Sequence, residues 1–119
     1  MAAVIRVDAL WLSAQTLDMR AGMQTLLAQV IAVFGQATPH HAYLFANRRG
    51  TRMKVLVHDG HGLWLAHRQL NEGRFHWPTT PSLHGPSPSS IKLTRAQFEA
   101  LILGLPWERL ADGGVIRVL

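Results

Sequence analysis

The sequence contains no cysteine, which excludes a disulfide framework and any thiolate metal site. Acids are scarce as well, seven Asp and Glu against twelve Lys and Arg. A DNA-strand-transfer centre needs carboxylates clustered around two metal ions about 3.5–4 Å apart. The acids here fall instead where local structure calls for them. Asp18 stands at the start of an apolar helical stripe as a cap, Asp59 precedes glycine in a turn, and Glu72 lies in the turn Asn71-Glu72-Gly73. No Gly-rich phosphate loop, HExxH motif or Ser/His/Asp arrangement is present. The sequence therefore reads as non-enzymatic, with no catalytic residue and no cofactor. His40 and His41 are neighbours that point opposite ways in an extended chain, and His58 with His61 supplies only two ligands across a turn, so no metal is expected. No apolar run approaches the roughly 18–20 residues of a membrane-spanning helix. The start, MAAVIRVDALWL, lacks a charged segment followed by a long apolar one. These absences point to a cytoplasmic protein with no membrane partner.

What is there is basic and apolar. The formal net charge is +5 and hydrophobic residues make up 48% of the chain. A length of 119 residues suits one domain, 1–119, with a single core. The positive balance suggests an anionic partner, of which nucleic acid is the commonest. The charge is concentrated between Tyr43 and Trp77, where Arg48, Arg49, Arg52, Lys54, Arg68 and Arg74 are opposed only by Asp59 and Glu72.

That stretch predicts a β-hairpin. Met53–His58 and His61–Leu70 are rich in Val, Leu and Trp and flank Asp59-Gly60, a strong signal for a two-residue type I′ turn. Such a turn pairs His58 with His61, Leu56 with Leu63, Val55 with Trp64 and Lys54 with Leu65. One face then carries Met53, Val55, Val57, Trp64 and Ala66 and is expected to meet the core. The other carries Arg52, Lys54 and His67 at its open end and Leu56, Leu63 and Leu65 in the middle, a surface suited to contact.

Around the hairpin the elements read in order. A short strand ends near Leu12. A helix over residues 19–34, capped by Thr16 or Asp18, presents Met19, Met23, Leu26, Leu27, Val30, Ile31 and Phe34 as one stripe, and Gly35 ends it. Tyr43–Asn47 is a strand, Arg48–Thr51 a turn, and Arg74–Trp77 a short last strand. Residues 78–90, PTTPSLHGPSPSS, form an exposed loop. Thr94-Arg95-Ala96-Gln97 is a capping box opening a second helix, with Leu93 and Phe98 as its staple. Residues 111–119 are either a frayed tail or a late edge strand. The class is α+β: an antiparallel sheet, a long helix from the N-terminal half and a shorter C-terminal one.

The motifs Asp18-Met19-Arg20, Asn47-Arg48-Arg49-Gly50, Lys54-Val55-Leu56, Asp59-Gly60-His61-Gly62, Arg68-Gln69-Leu70 and Gly73-Arg74-Phe75-His76-Trp77-Pro78 occur in an order and spacing that resemble one bacterial family. These are the TnpB-type (Orf-two-like) accessory proteins of the insertion-sequence sixty-six group of mobile elements. The resemblance covers about residues 8–107, leaving the tail 108–119 uncovered. It departs from the pattern at Ala21, where a basic residue is usual, and at His58, where an aromatic is common. It implies a protein encoded beside a larger transposase and needed for movement of the element.

Two functions fit. In one, Arg48, Arg49, Arg52 and Lys54, with Arg68 and Arg74 nearby, contact DNA phosphates without sequence preference, beside the transposase. In the other, Leu56, Leu63, Leu65 and Trp77 form a homo-oligomer or transposase-docking surface, and the arginines only solubilise it or protect a sheet edge.

Overall fold

The computed structural model describes residues 5–78 and 90–108. The loop expected over 78–90 and the tail beyond Trp107 therefore lie, apart from Pro78, Ser90 and Glu108, outside the described residues.

The elements run β1 (Ala9–Ser13), α1 (Met23–Phe34), β2 (His41–Ala46), β3 (Arg52–His58), β4 (Leu63–Gln69), β5 (Ser90–Leu93) and α2 (Arg95–Ile102). The strands form one sheet in the order β4-β3-β2-β1-β5. The class is α+β, as the periodicities predict. The sheet is mixed, however, because β1 and β2 pair in parallel while the other three pairings are antiparallel. Parallel neighbours need a crossover, and α1 is that crossover. The strand β5 is not among the elements expected from sequence. It is four residues long and zips onto the open side of β1, with Leu93 opposite Leu10.

The sheet is apolar on both faces. Leu10, Leu12, Ala42, Leu44, Met53 and Val57 point to one side and are covered by Ala100 and Leu101 of α2 together with Phe75 and Trp107. Tyr43, Phe45 and Leu56 point to the other and are covered by Leu26 and Val30 of α1. So the face of Met53, Val55 and Val57 meets the core as expected, though Trp64 on it is 51% exposed, but α1 packs on the other face, that of Leu56 and Lys54, which the sequence presented as a contact surface. A crossover between parallel strands has a preferred hand, and that hand, rather than the apolar pattern of the hairpin, decides which side receives the helix.

Three local expectations shift. First, α1 starts at Met23 rather than Met19. Its N-cap is Gly22, with no side-chain cap. Asp18 is used instead in a local turn, accepting the Arg20 N–H at 2.9 Å and pairing with the Arg20 guanidinium at 2.7 Å. Second, the hairpin register is displaced by two residues: His58 pairs with Leu63 and Val57 with Trp64. The Asp59 N–H donates to the Gly62 carbonyl, so Gly60 and His61 are the central residues of the turn. Gly60, at φ +90, takes the first central position, the place a type II′ turn reserves for glycine. A two-residue slip preserves the side-chain faces, which is why their composition was legible despite the wrong turn. Third, Arg74–Trp77 is not a strand. The Phe75 N–H donates to Gly50 O at 2.7 Å, and Trp77 Nε1 to Ser13 O at 2.7 Å.

The capping box opens α2 as expected, Thr94 Oγ1 accepting from Gln97 N–H and Gln97 Oε1 from Thr94 N–H. Gly35 ends α1 at φ 87.

Candidate nucleic-acid interface

The turn between β2 and β3 is built by one side chain. Asn47 Oδ1 accepts the N–H groups of Thr51 at 2.9 Å and Arg52 at 3.1 Å, and Asn47 Nδ2 donates to Thr51 Oγ1 at 3.1 Å. The backbone closes through Asn47 N–H to Arg52 O and Gly50 N–H to Asn47 O. Gly50 has φ +71, and a Cβ there would lie 3.3 Å from Phe75 O. The position needs glycine both for its backbone conformation and for the close approach. Arg48 and Arg49 are therefore exposed on a turn whose backbone bonds are satisfied, held from outside by the Phe75 segment.

These two arginines and Arg52 line a groove of about 590 Å³ at the open end of the hairpin. The amides of Asn47, Gln69 and Asn71 share its walls, and Leu17, Met19 and Leu70 supply apolar surface. Asp18 contributes its single acid. The Arg20 guanidinium and backbone N–H pull the Asp18 carboxyl down to about 2, so it is charged at neutral pH and already satisfied by its own partner. The ion pairs among the described residues are Arg6–Asp8, Arg20–Asp18 and Arg95–Glu99. None involves Arg48, Arg49, Arg52 or Arg74.

The six basic residues singled out in the sequence do not form one patch. Lys54 is the clear correction. It is 7% exposed, and its ammonium donates to Met19 O and Ala21 O, each at 2.7 Å. It fastens the segment leading into α1 onto the sheet and cannot reach a phosphate. Arg68 points to the α2 side, opposite the groove, where its Nε donates to Ile102 O at 2.7 Å. Arg74 is exposed beside the Gly50 turn without lining the groove. The hairpin surface thought suited to contact is likewise reduced, because Leu56 is fully buried under α1 and Trp77 is tied to Ser13. His67, opposite Lys54, is held below the ordinary histidine value by burial and then by Lys54 and Arg52.

The basic pattern of the sequence does not point to the amides Asn47, Gln69 and Asn71, which the fold brings into the groove. Asn47 could have been found from its place four residues before Thr51 in a Gly-containing turn. Gln69 and Asn71 carry no such signal and join the groove only because β4 pairs with β3.

The family described as IS66 Orf2 like protein matches residues 8–112. The chain belongs to that family. The match includes every groove residue and extends the resemblance seen over 8–107 into the C-terminal segment. Two proteins of Sinorhizobium fredii (strain NBRC 101917 / NGR234) are similar to it. "Uncharacterized protein y4hO" is 30% identical over 98 residues, 82% of this chain and 80% of that protein. "Uncharacterized protein y4jC" is 27% identical over 97 residues, 81% of this chain and 78% of that protein. No solved structure matches the chain significantly. Family membership ties the protein to the transposition system of an insertion sequence.

Proposed function

We propose that this protein is a non-enzymatic accessory factor for transposition that binds DNA phosphates through the groove of Arg48, Arg49 and Arg52, acting in the cytoplasm beside the transposase of the same element. The observation that carries this reading is the set of three exposed arginines, without carboxylate partners among the described residues, around a groove on a rigid turn. Arginine suits the role because its planar fork binds phosphate oxygens bidentately. Asn47, Gln69 and Asn71 add neutral donors that can reach phosphate or sugar. No helix presents a row of side chains to a major groove at this site, so the contacts position the protein without reading bases. The non-enzymatic part rests on how the acids are used. Asp8 and Asp18 are paired with arginines, Glu99 lies 3.6 Å from Arg95, and Asp59 is spent within a turn.

The test is binding of duplex DNA of several sequences, measured across a range of salt. Each phosphate contact contributes about 0.9 to the slope of log affinity against log salt. The variant Arg48→Ala/Arg49→Ala/Arg52→Ala should flatten the slope by roughly two to three and lose most of its affinity, equally for all sequences, while its melting temperature stays near that of the parent. A folded triple variant that binds DNA as the parent does would sink the reading. One that keeps DNA binding but no longer retains the transposase would reassign the arginines to protein docking.

A further inference from the structure

The two edges of the sheet are unequal. The β5 edge is four residues long and carries Lys92. The β4 edge is seven residues long, with no proline, no bulge in its register with β3, and one charge, Arg68. Natural edges are blunted by brevity, lysine, proline or bulges, because a free row of N–H and C=O groups templates another strand. Among the described residues, the β4 edge uses none of these devices and no strand pairs with it, and its last four residues are all exposed.

Its hydrogen-bonding side follows from the turn. The Asp59 N–H donates to Gly62 O, and at the other end the Leu70 N–H donates to Thr51 O. Bonded pairs in an antiparallel ladder recur at every second residue, so Trp64, Ala66 and Arg68 spend their backbone groups on β3. Leu63, Leu65, His67 and Gln69 aim theirs outward.

We propose that β4 pairs with β4 of a second copy of this chain, antiparallel, about a two-fold axis at Ala66. This register uses the whole strand and sets outward residue against outward residue, Leu63 with Gln69 and Leu65 with His67. Ala66 meets its own symmetry mate, a small residue where side chains come closest. Trp64 of each copy stands directly opposite Arg68 of the other. Trp64 is 51% exposed and its indole is already fixed by Nε1 donating to Asp59 Oδ2 at 2.9 Å. Arg68 is fixed by Ile102 O. A guanidinium over an indole face is a favourable cation–π pair, made twice by the symmetry, between side chains that lose little freedom on meeting. The seam places no like charges opposite each other. Because the axis is perpendicular to the sheet, both arginine grooves fall on the same side of the joined sheet, at opposite ends of the seam.

The test uses the full chain without DNA, so its outcome is separate from that of the phosphate groove. Sedimentation should show a concentration-dependent dimer. Amide exchange at Leu63, Leu65, His67 and Gln69 should slow as the dimer forms. Trp64→Lys, which sets a like charge against Arg68, should weaken self-association about tenfold or more, whereas Trp64→Glu should preserve or tighten it. His67→Pro removes an outward N–H only, and should give a folded monomer. A wild-type chain that stays monomeric at high micromolar concentration would overturn the proposal, as would Lys and Glu variants that dimerise equally. Protection of the β4 amides only when the transposase is added would assign this edge to that protein instead.

Discussion

Two turns bracket β3, and both are organised by an Asx side chain that accepts two backbone N–H groups. In the first, Asn47 Oδ1 takes Thr51 and Arg52. In the second, Asp59 Oδ1 takes His61 at 2.8 Å and Gly62 at 2.7 Å, while Oδ2 takes Trp64 Nε1. The device is the same and the charge is not. Asn47 is neutral, so the turn itself sets no charge against Arg48, Arg49 and Arg52. Asp59 is ionic, and its charge is consumed in three hydrogen bonds that lower its carboxyl to about 2. One end of the hairpin is thus built to leave charge available and the other to use it up. Surroundings differ too: the first turn is clasped by Phe75, and the second stands in open solvent.

The largest expected effect tests that clasp. Gly50→Val must force positive φ on a β-branched residue and push Phe75 O away, and should cost roughly 2–3 kcal/mol in denaturant unfolding. Gly60→Val meets the same φ penalty with nothing within 4 Å of its Cβ, and should cost only about 1–2 kcal/mol. Equal losses at the two glycines would show that the Phe75 contact contributes nothing.

A subtler change makes the first turn resemble the second. Asn47→Asp keeps both N–H acceptor bonds and adds a negative charge to the groove. It should leave the melting temperature within a few degrees of the parent and weaken DNA binding about three- to tenfold at low salt, with the difference shrinking as salt rises. Destabilisation without loss of affinity would break the comparison.

The smallest effect is in the pH dependence of the second turn. The Asp59 pKa in the folded chain lies below its ordinary value, so its contribution is complete above about pH 4 and is lost as pH falls toward about 2. The indole N–H resonance of Trp64 should follow that titration, since its acceptor is the same carboxylate. A resonance that moves near pH 4 instead would show that the turn does not hold the ionised form.

How far each feature could be read in advance depended on how local its cause is. The capping box at Thr94 and the glycine ending α1 involve neighbours in sequence, and both formed as read. The hairpin was legible in its faces but not in its turn, because Asp-Gly can serve as either the centre or the shoulder of a tight turn. The choice fell to Asp59, which gains more by capping His61, Gly62 and Trp64 from outside. The helix is shorter than the apolar stripe from Met19, since Lys54, distant in sequence, takes the carbonyls of Met19 and Ala21 that a helix would use. For the same reason Lys54 looks like a surface cation in the sequence: nothing near it there announces its acceptors. Gln69 and Asn71 entered the groove through strand pairing alone.

The sequence by itself determined the α+β class, the family, the two-sided alternation of β3 and the presence of exposed arginines at a glycine-bearing turn, because each follows from periodicity or from contacts within a few residues. Tertiary structure alone decided which face of the sheet α1 covers, that a parallel pair and a fifth strand complete it, and which basic residues are tied down within the fold. Those outcomes hang on the hand of a crossover and on hydrogen-bond acceptors that lie more than thirty residues away along the chain, at Met19 and Ala21 for Lys54 and at Ile102 for Arg68. Two basic side chains of the same hairpin were thereby turned into structural ties, and three others were left facing an open groove.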